Sequence, residues 1–397
     1  MTRLRTALVI GSGIAGPAVA MALQKAGIDS VVYEQHPGSA AEIGNFLTLA
    51  TNGVDALRTL GAEDLATSIG FPTTATVLWS GTGKRLGAAE VSMTLEDGTT
   101  GYTLRRADLY CALRDAAENR RIPVVHGKRL TAARHVDGGV RATFGDGSGA
   151  TADIMIGCDG IHSTVRGIID PGAPEPTYAG LINLGGFVGG IPVEADPGTY
   201  HMIFGKRAFF GYALAPDGEV WWFANVPQSD EPARGSLAHI GTDEWKRRLI
   251  GLFADDFGPA KRLIEATAHE LSASPIHTLP HLPRWYTDRM IVIGDAAHAP
   301  SPSSGQGASL SIEDGVHLAK NLRDLPSPDQ AFAAFERARR PRVQQIIKQA
   351  ARVNNSKAAS GASRVLRDAM LPHILKLIPN SKRSRQLYGY HIDWETP

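Results

Sequence analysis

The sequence predicts an α/β fold: a parallel sheet wrapped by helices, a second antiparallel sheet inserted into it, and helices at the C-terminal end. Three observations predict it. A short apolar run at residues 7–10 leads into spaced glycines and then an alanine-rich stretch. Two later apolar runs, ending near Gly157 and Ile293, each break into a loop rich in small residues. Between and beside them lie alternating apolar runs separated by turn residues, the pattern of paired strands.

The first element is a buried strand, residues 7–10, followed by Gly11-Ser12-Gly13-Ile14-Ala15-Gly16. Residues 17–26 are helix formers, and Gly27 stands where that helix ends. Pro17 is tolerated because first-turn amides have no intrahelical partner. Residues 30–33 form a second strand that ends in Glu34. Together these make a strand, a tight glycine turn, a helix and an acid about 20 residues on, the fingerprint of a dinucleotide site. Gly11 permits the turn, Gly13 lets a pyrophosphate approach the backbone, and Gly16 lets helix and strand pack closely. Ile14 and Ala15 open the helix whose free amides face the phosphates. Glu34 accepts from ribose hydroxyls and disfavours a 2′-phosphate, so the expected nucleotide is FAD or NAD rather than NADP. The charged and apolar start, Arg3 and Arg5 before residues 7–23, imitates a secretory signal, but the glycine spacing accounts for it better.

The second and third motifs are Cys158-Asp159-Gly160 with Ser163 and Arg166, and Gly294-Asp295 followed by a Pro/Ser/Gly loop and a helix opening near Gly305-Gln306-Gly307. With these the chain resembles the group A flavoprotein monooxygenases, the para-hydroxybenzoate hydroxylase-like family. The resemblance rests on GSGIAG with Glu34, on residues 106–109, on CDGIHSTVR and on GDAAHAPSPSSGQGASLSIED, in the family's order. It implies a Rossmann-like FAD-binding domain of the para-hydroxybenzoate hydroxylase type. It also implies that Arg106 meets the FAD pyrophosphate region and that Asp159 belongs to a motif serving both FAD and NAD(P)H. Asp295 would hold the ribityl chain or pyrophosphate, with Pro302, Gly305, Gly307 and Ala308 beside the isoalloxazine. Many relatives carry an arginine shortly after the acid; residues 42–46 here contain none. The expected form is the compact one, without the extra C-terminal domain of longer relatives, which resembles the subgroup acting on aromatic, polyketide-like or antibiotic-like molecules.

The expected FAD-binding domain is discontinuous, residues 1–71, 104–176 and 281–340. Residues 72–103 and 177–280 form the substrate domain, and 341–397 a helical segment. Strand-like runs at 181–188, 200–204, 209–214 and 220–226 would wall a cavity. Phe204, Phe209, Phe210, Tyr212, Trp221, Trp222 and Phe223 are the candidate lining residues, with Phe204, Phe210, Tyr212 and Trp222 put first. Phe332, Phe335 and Ala338 have helical spacing, which Pro341 interrupts. Arg337, Arg339, Arg340 and Arg342 read as a solvated helix face.

The remaining signals exclude more than they add. Formal net charge is +1, so nothing selects nucleic acid. Only two cysteines occur, without CxxC spacing, which fits a reducing, cytoplasmic setting. No span long enough for a bilayer, no GxSxG elbow and no metal-type histidine spacing occurs. His277 and His281 read as structural, and His298 as part of the loop beside the flavin. Trp221-Trp222-Phe223 does not match the WxWxIP segment of flavin halogenases.

The expected activity is thus oxygenation of a small organic substrate by NADH or NADPH and O2, through a flavin C4a-hydroperoxide. Oxidase, reductase, halogenase and non-catalytic flavin protein are the alternatives. Sequence names no catalytic acid or base, and leaves monomer and dimer both open.

Overall fold

The computed structural model describes residues 4–38, 45–268, 270–271, 273–357, 361–377 and 380–396. In chain order the elements begin with β1 (Thr6–Ile10), α1 (Ala15–Lys25), β2 (Asp29–Tyr33), β3 (Phe46–Leu49), α2 (Thr51–Thr59), α3 (Asp64–Thr67) and β4 (Gly70–Pro72). The hairpin β5 (Ala75–Ser80) and β6 (Arg85–Glu90) precedes β7 (Tyr102–Arg105), α4 (Arg106–Asn119), β8 (Val124–Val125), β9 (Leu130–Val136), β10 (Gly139–Phe144), β11 (Gly149–Ala152), β12 (Ile154–Gly157) and α5 (Thr164–Ile169). Next come β13 (Thr177–Val188), β14 (Thr199–Phe204), β15 (Phe209–Leu214), β16 (Val220–Pro227), α6 (Thr242–Phe253), α7 (Ala260–Ala266), β17 (Ser274–Thr278) and β18 (Met290–Val292). Four helices finish the chain: α8 (Gly307–Asp324), α9 (Pro328–Lys357), α10 (Gly361–Leu377) and α11 (Asn380–Tyr388).

A five-stranded sheet, ordered β18-β12-β1-β2-β8, is parallel throughout. The apolar N-terminal run is its centre: residues 7–10 are buried, as are Ala15 to Leu23 on α1. A helix with no polar face lies between two layers. The second layer is α8, and Gly315 sets the spacing: a Cβ there would stand 3.0 Å from the Val19 backbone.

The second large sheet has seven strands, ordered β17-β13-β16-β15-β14-β5-β6. It is antiparallel except where β14 meets β5, which run parallel, so the inserted sheet is mixed at one joint. A three-stranded sheet, β3-β7-β4, stands between the two large ones. The boundaries expected at 71/72 and 103/104 therefore fall within its strands β4 and β7.

One C-terminal expectation is corrected. Pro341 does not break the helix; α9 runs through it, and the boundary expected at 340/341 lies inside that helix. Proline removes one backbone bond. Pro341 is exposed, so the carbonyl left without a donor faces solvent. Ile392 and Trp394 return to the core beside the parallel sheet.

Candidate active site

The three sequence motifs converge. Their strands β1, β12 and β18 are neighbours, and each delivers its loop at the carboxyl edge of the sheet. Cys158 donates its amide to Ile10 O at 2.7 Å, and Ile293 donates to Gly157 O at 3.0 Å. Gly11 has φ of +100°, and a Cβ on it would come within 2.5 Å of Cys158 O. Gly16 is equally obligatory, since its Cβ would lie 1.9 Å from Gly11 O. Gly13 differs: a Cβ on it would meet nothing within 4 Å. The space Gly13 keeps open belongs to a cavity of about 240 Å³, lined among others by Gly11, Gly13, Glu34, Arg106 and Asp159.

Glu34 is 7% exposed and already oriented. Its Oε2 accepts the Ser12 amide at 2.8 Å, and its Oε1 accepts the His36 amide at 2.9 Å. Two backbone donors fix the carboxylate plane and leave further lone pairs for a ligand. Ile14 and Ala15 lie at the start of α1, as the motif requires.

Asp159 is more local than its motif suggests. Its carboxylate accepts Ser163 Oγ at 2.5 Å and the Thr164 and Val165 amides at 2.7 and 3.0 Å. It thereby caps α5. Burial pushes its carboxyl above the usual range, and these donors oppose the shift. Arg166, 4% exposed, reaches from α5 to Ala296 O at 3.2 Å, tying the second motif to the third.

Asp295 stands where β18 ends. A Cβ built on Gly307 would lie 4.0 Å from its Oδ1, so the carboxylate sits at the N-terminus of α8. Burial raises its pKa, and the charge of Arg106 is the main influence lowering it. Gly294 and Gly305 take the left-handed conformation, φ +58° and +61°. Pro302 and Gly305 are exposed at the loop surface, while Gly307 and Ala308 are partly covered. Beside them Gln306 is 2% exposed, and its Nε2 has no hydrogen-bond partner among the described residues. The residues 42–44, in the stretch that lacks the family's arginine, lie outside the described residues.

Beneath this loop runs a buried ion network that sequence analysis missed. Asp314 Oδ2 accepts the Gly294 amide at 2.9 Å and pairs with His298 Nε2 at 2.6 Å. Its Oδ1 takes Arg339 Nε at 2.7 Å. Arg339 also pairs with Glu313 at 2.5 Å, and Arg342 pairs with Glu313 at 2.7 Å. Burial would raise both carboxyls, yet the neighbouring cations hold Asp314 and Glu313 below the usual carboxylate range. The expectation of a solvated arginine face is thereby overturned: Arg339 is fully buried and Arg342 nearly so. Only Arg337 of the four is exposed, and Ala338 is exposed with it.

The seven-stranded sheet divides the cavity candidates between its two faces. Phe210, Tyr212 and Trp222 face away from the parallel sheet, in a core with Trp245, Leu249 and Phe253 of α6. Phe210 and Trp222 stack at 5.5 Å and neither is exposed. Strand alternation places the odd-numbered neighbours on the other face. There Phe46 of β3 meets Phe187, Trp221 and Phe223 at ring separations of 6.1, 5.6 and 5.9 Å. Tyr200 closes one side, its hydroxyl bonded to Thr48 and Thr103 at 3.1 and 2.9 Å. Phe204 shares this face but is covered by Arg367, whose guanidinium lies 4.5 Å above its ring.

The aromatic box and the glycine crevice are joined through β3. Arg106 donates its amide to Asn45 O at 3.1 Å, one residue before Phe46. At the strand's other end Ala50 donates to Ser309 Oγ at 3.0 Å, in the first turn of α8.

Parallel strands that bring a glycine turn, an oriented acid and a helix N-terminus to one crevice, with an aromatic box alongside, define a flavin-type dinucleotide-binding oxidoreductase. The family described as FAD binding domain matches residues 5–350. The chain belongs to that family, among its group A FAD-dependent monooxygenases. It is 30% identical to an FAD-dependent urate hydroxylase of Klebsiella pneumoniae over 347 residues, 86% of this chain and 87% of that one. With 6-hydroxynicotinate 3-monooxygenase of Bordetella bronchiseptica it shares 28% identity over 353 residues, 85% of this chain and 88% of the other. The solved structure of Klebsiella pneumoniae HpxO complexed with FAD and uric acid superposes with a TM-score of 0.84 at 26% identity, covering 97% of this chain and 96% of that chain. No helix among the described residues is long and apolar enough to cross a membrane.

Proposed function

We propose that this chain uses NADH or NADPH and O2 to oxygenate a small aromatic or polyketide-like substrate held in the box of Phe46, Phe187, Tyr200, Trp221 and Phe223. One oxygen atom enters the substrate. The other leaves as water, with a hydride (two electrons and a hydrogen) from the nicotinamide and one proton from solvent. The observation that carries the reading is the box itself, a set of ring faces beside the crevice of the three motifs. Flat apolar guests are held by such faces through burial and offset stacking. The names of the urate and 6-hydroxynicotinate relatives point to the same class of flat ring.

The residues present fit FAD. Gly13 leaves room that a side chain would fill, and Gln306 offers a buried donor without a partner among the described residues. In this reading Glu34 accepts from the ribose hydroxyls, and Gly11, Gly13, Ile14, Ala15 and Gly16 present the pyrophosphate to the α1 amides. Arg106 supplies positive charge to the phosphates. Asp295 accepts from the ribityl chain, and Gly307 and Ala308 offer first-turn amides to the reduced ring's negative edge, with Pro302 and Gly305 shaping the loop. Asp159 acts as a positioning residue, holding α5 and the Gly160 turn. Bound FAD supplies hydride acceptance and oxygen activation. The protein excludes water from the box and orients the guest.

The test is turnover of the FAD-loaded chain on a panel of aromatic acids, phenols and N-heterocycles, with NAD(P)H oxidation, O2 uptake and product mass measured together. Matched consumption with a product one oxygen heavier is expected. Oxygen uptake without NAD(P)H would make the chain an oxidase, and NAD(P)H oxidation without oxygen a reductase. Bound FAD that NAD(P)H never reduces would make it a non-catalytic flavin protein.

A further inference from the structure

Helix α10 is amphipathic the wrong way round. Its charged residues Arg367 and Asp368 turn toward the protein, paired at 2.7 Å with side chains only 9% and 16% exposed. Leu371 packs on the same side, against the cluster of Leu86, Phe204 and Phe209. Four of its apolar residues point outward. Val365, Leu366, Met370 and Ile374 are 63%, 60%, 49% and 41% exposed. Leu366, Met370 and Ile374 follow one another at helical i, i+4 spacing, so they form one stripe.

Phe257, 50% exposed, is the remaining exposed large hydrophobic among the described residues, and it lies on the same rim. It packs beside Gly83. The next residue, Lys84, donates through Nζ to the Asp368 carbonyl on α10 at 3.4 Å. A surface helix ordinarily buries such a stripe; one left outward marks an interaction surface.

Charge identifies the occupant. Between Gly361 and Tyr388 the sequence has six basic residues, Arg364, Arg367, Lys376, Lys382, Arg383 and Arg385, against one acid, Asp368. The whole chain has a net charge of only +1, so the excess is concentrated at this end. Asp256 accepts the Lys206 amide and faces the charges of Lys206, Arg207 and Arg364, and Asp255 pairs with Arg207, so these two acids are offset by nearby cations. A second copy of the chain would bring two net-positive segments together. Four side chains also fall well short of the about 800 Å² per partner that a stable protein complex buries. An anionic bilayer supplies both complements at once, apolar depth for the stripe and phosphate for the basic residues.

We propose that α10 docks this protein on an anionic lipid surface, with Val365, Leu366, Met370 and Ile374 entering the boundary between headgroups and acyl chains. The chain lies on the bilayer without crossing it. The inner side of α10 meets Phe204, on the sheet face that carries the aromatic box. Docking therefore sets the bilayer one helix away from the box and favours a lipophilic guest; that last step rests on the proposed function, whereas the docking does not.

The experiment is co-sedimentation of the full FAD-loaded chain with two kinds of vesicle, phosphatidylcholine alone and phosphatidylcholine mixed with phosphatidylglycerol. Pelleting with the anionic vesicles, weakened by added salt, is expected. The triple variant Leu366→Ser, Met370→Ser, Ile374→Ser should bind at least tenfold more weakly while keeping its FAD absorbance and melting temperature. The pair Arg383→Glu, Arg385→Glu should lose the preference for anionic vesicles and gives an independent route if the triple variant misfolds. Wild-type protein that stays in the supernatant with both vesicles would overturn the proposal. So would a triple variant that pellets unchanged, or a stripe-dependent dimer in light scattering without vesicle binding.

Discussion

Arg339 and Asp314 form an ion pair with neither side chain exposed, Nε to Oδ1 at 2.7 Å, and the same carboxylate holds the Gly294 amide through its other oxygen at 2.9 Å. A residue of α9 thus fixes, through one intermediary, the loop that presents Asp295. Removing the cation leaves two buried carboxylates short of a partner. Arg339→Leu is expected to cost about 3–5 kcal/mol, the range for breaking a buried pair from one side. Urea unfolding measures it. Arg339→Lys should recover part of the loss, because a lysine retains the charge but not the planar fork. A Leu variant as stable as the parent would show that the pair is dispensable.

The glycines allow a contrast within one turn. In Gly16→Ala the new methyl meets the Gly11 carbonyl at 1.9 Å, so the strand-to-helix turn itself must shift. In Gly13→Ala the methyl enters open space. The first variant is expected to lower the melting temperature of the FAD-free protein. The second should leave that temperature within a degree or so, yet weaken FAD binding at least tenfold, a change of about 1.4 kcal/mol. Fluorescence titration with FAD separates the two; undiminished affinity in Gly13→Ala would place the pyrophosphate elsewhere.

The two faces of the seven-stranded sheet make opposite predictions. Phe210→Ala opens a hole in the core against α6 and should cost about 3–5 kcal/mol of stability. Phe223→Ala, partly exposed in the box, should cost far less stability and instead raise KM for the substrate. Unfolding curves and steady-state kinetics on the two variants give the comparison.

His317 makes stability depend on pH. Burial first, and then the charge of Arg339, lower its pKa from 6.5 to about 4. Its folded value is depressed, so the unfolded chain binds the proton more readily. The stabilisation is complete above the unfolded value and is lost as pH falls toward about 4. From about pH 7 to about pH 5 this single group should remove roughly 2 kcal/mol. His317→Gln should flatten that part of the profile, as followed by thermal melts across the range. An unaltered slope would assign the acid sensitivity to other groups.

Much of the fold was legible because its signals are local. A strand, a glycine turn, a helix and an acid lie within residues 6–34, and backbone sterics alone tie Gly11 and Gly16 to their places. The ion network was less legible because its partners lie on α8, α9 and two loops. Its sign was nevertheless present. Arg339 and Arg342 continue the helical spacing of Phe332 and Phe335, which places them on the buried stripe. Arginine's usual preference for water argued the other way, and pairing with Glu313 and Asp314 overrode it. The cavity residues divided between two faces for a different reason. Phe209 and Phe210, or Trp221 and Trp222, are equally apolar, so alternation assigns them to opposite faces without saying which face meets the crevice. Only the packing of α6 and α7 decides.

The order in which strands enter the parallel sheet has a consequence for biogenesis. β1 sits at its centre and is synthesised first, while the edge strand β18 emerges only after the whole mixed sheet has been made. Strand β12, the partner of β18, must therefore wait with one flank unpaired until the mixed sheet between them has been made. Premature release of a shortened nascent chain would leave an exposed apolar strand edge, so truncated products of this gene should be substrates for chaperones or proteases rather than working fragments.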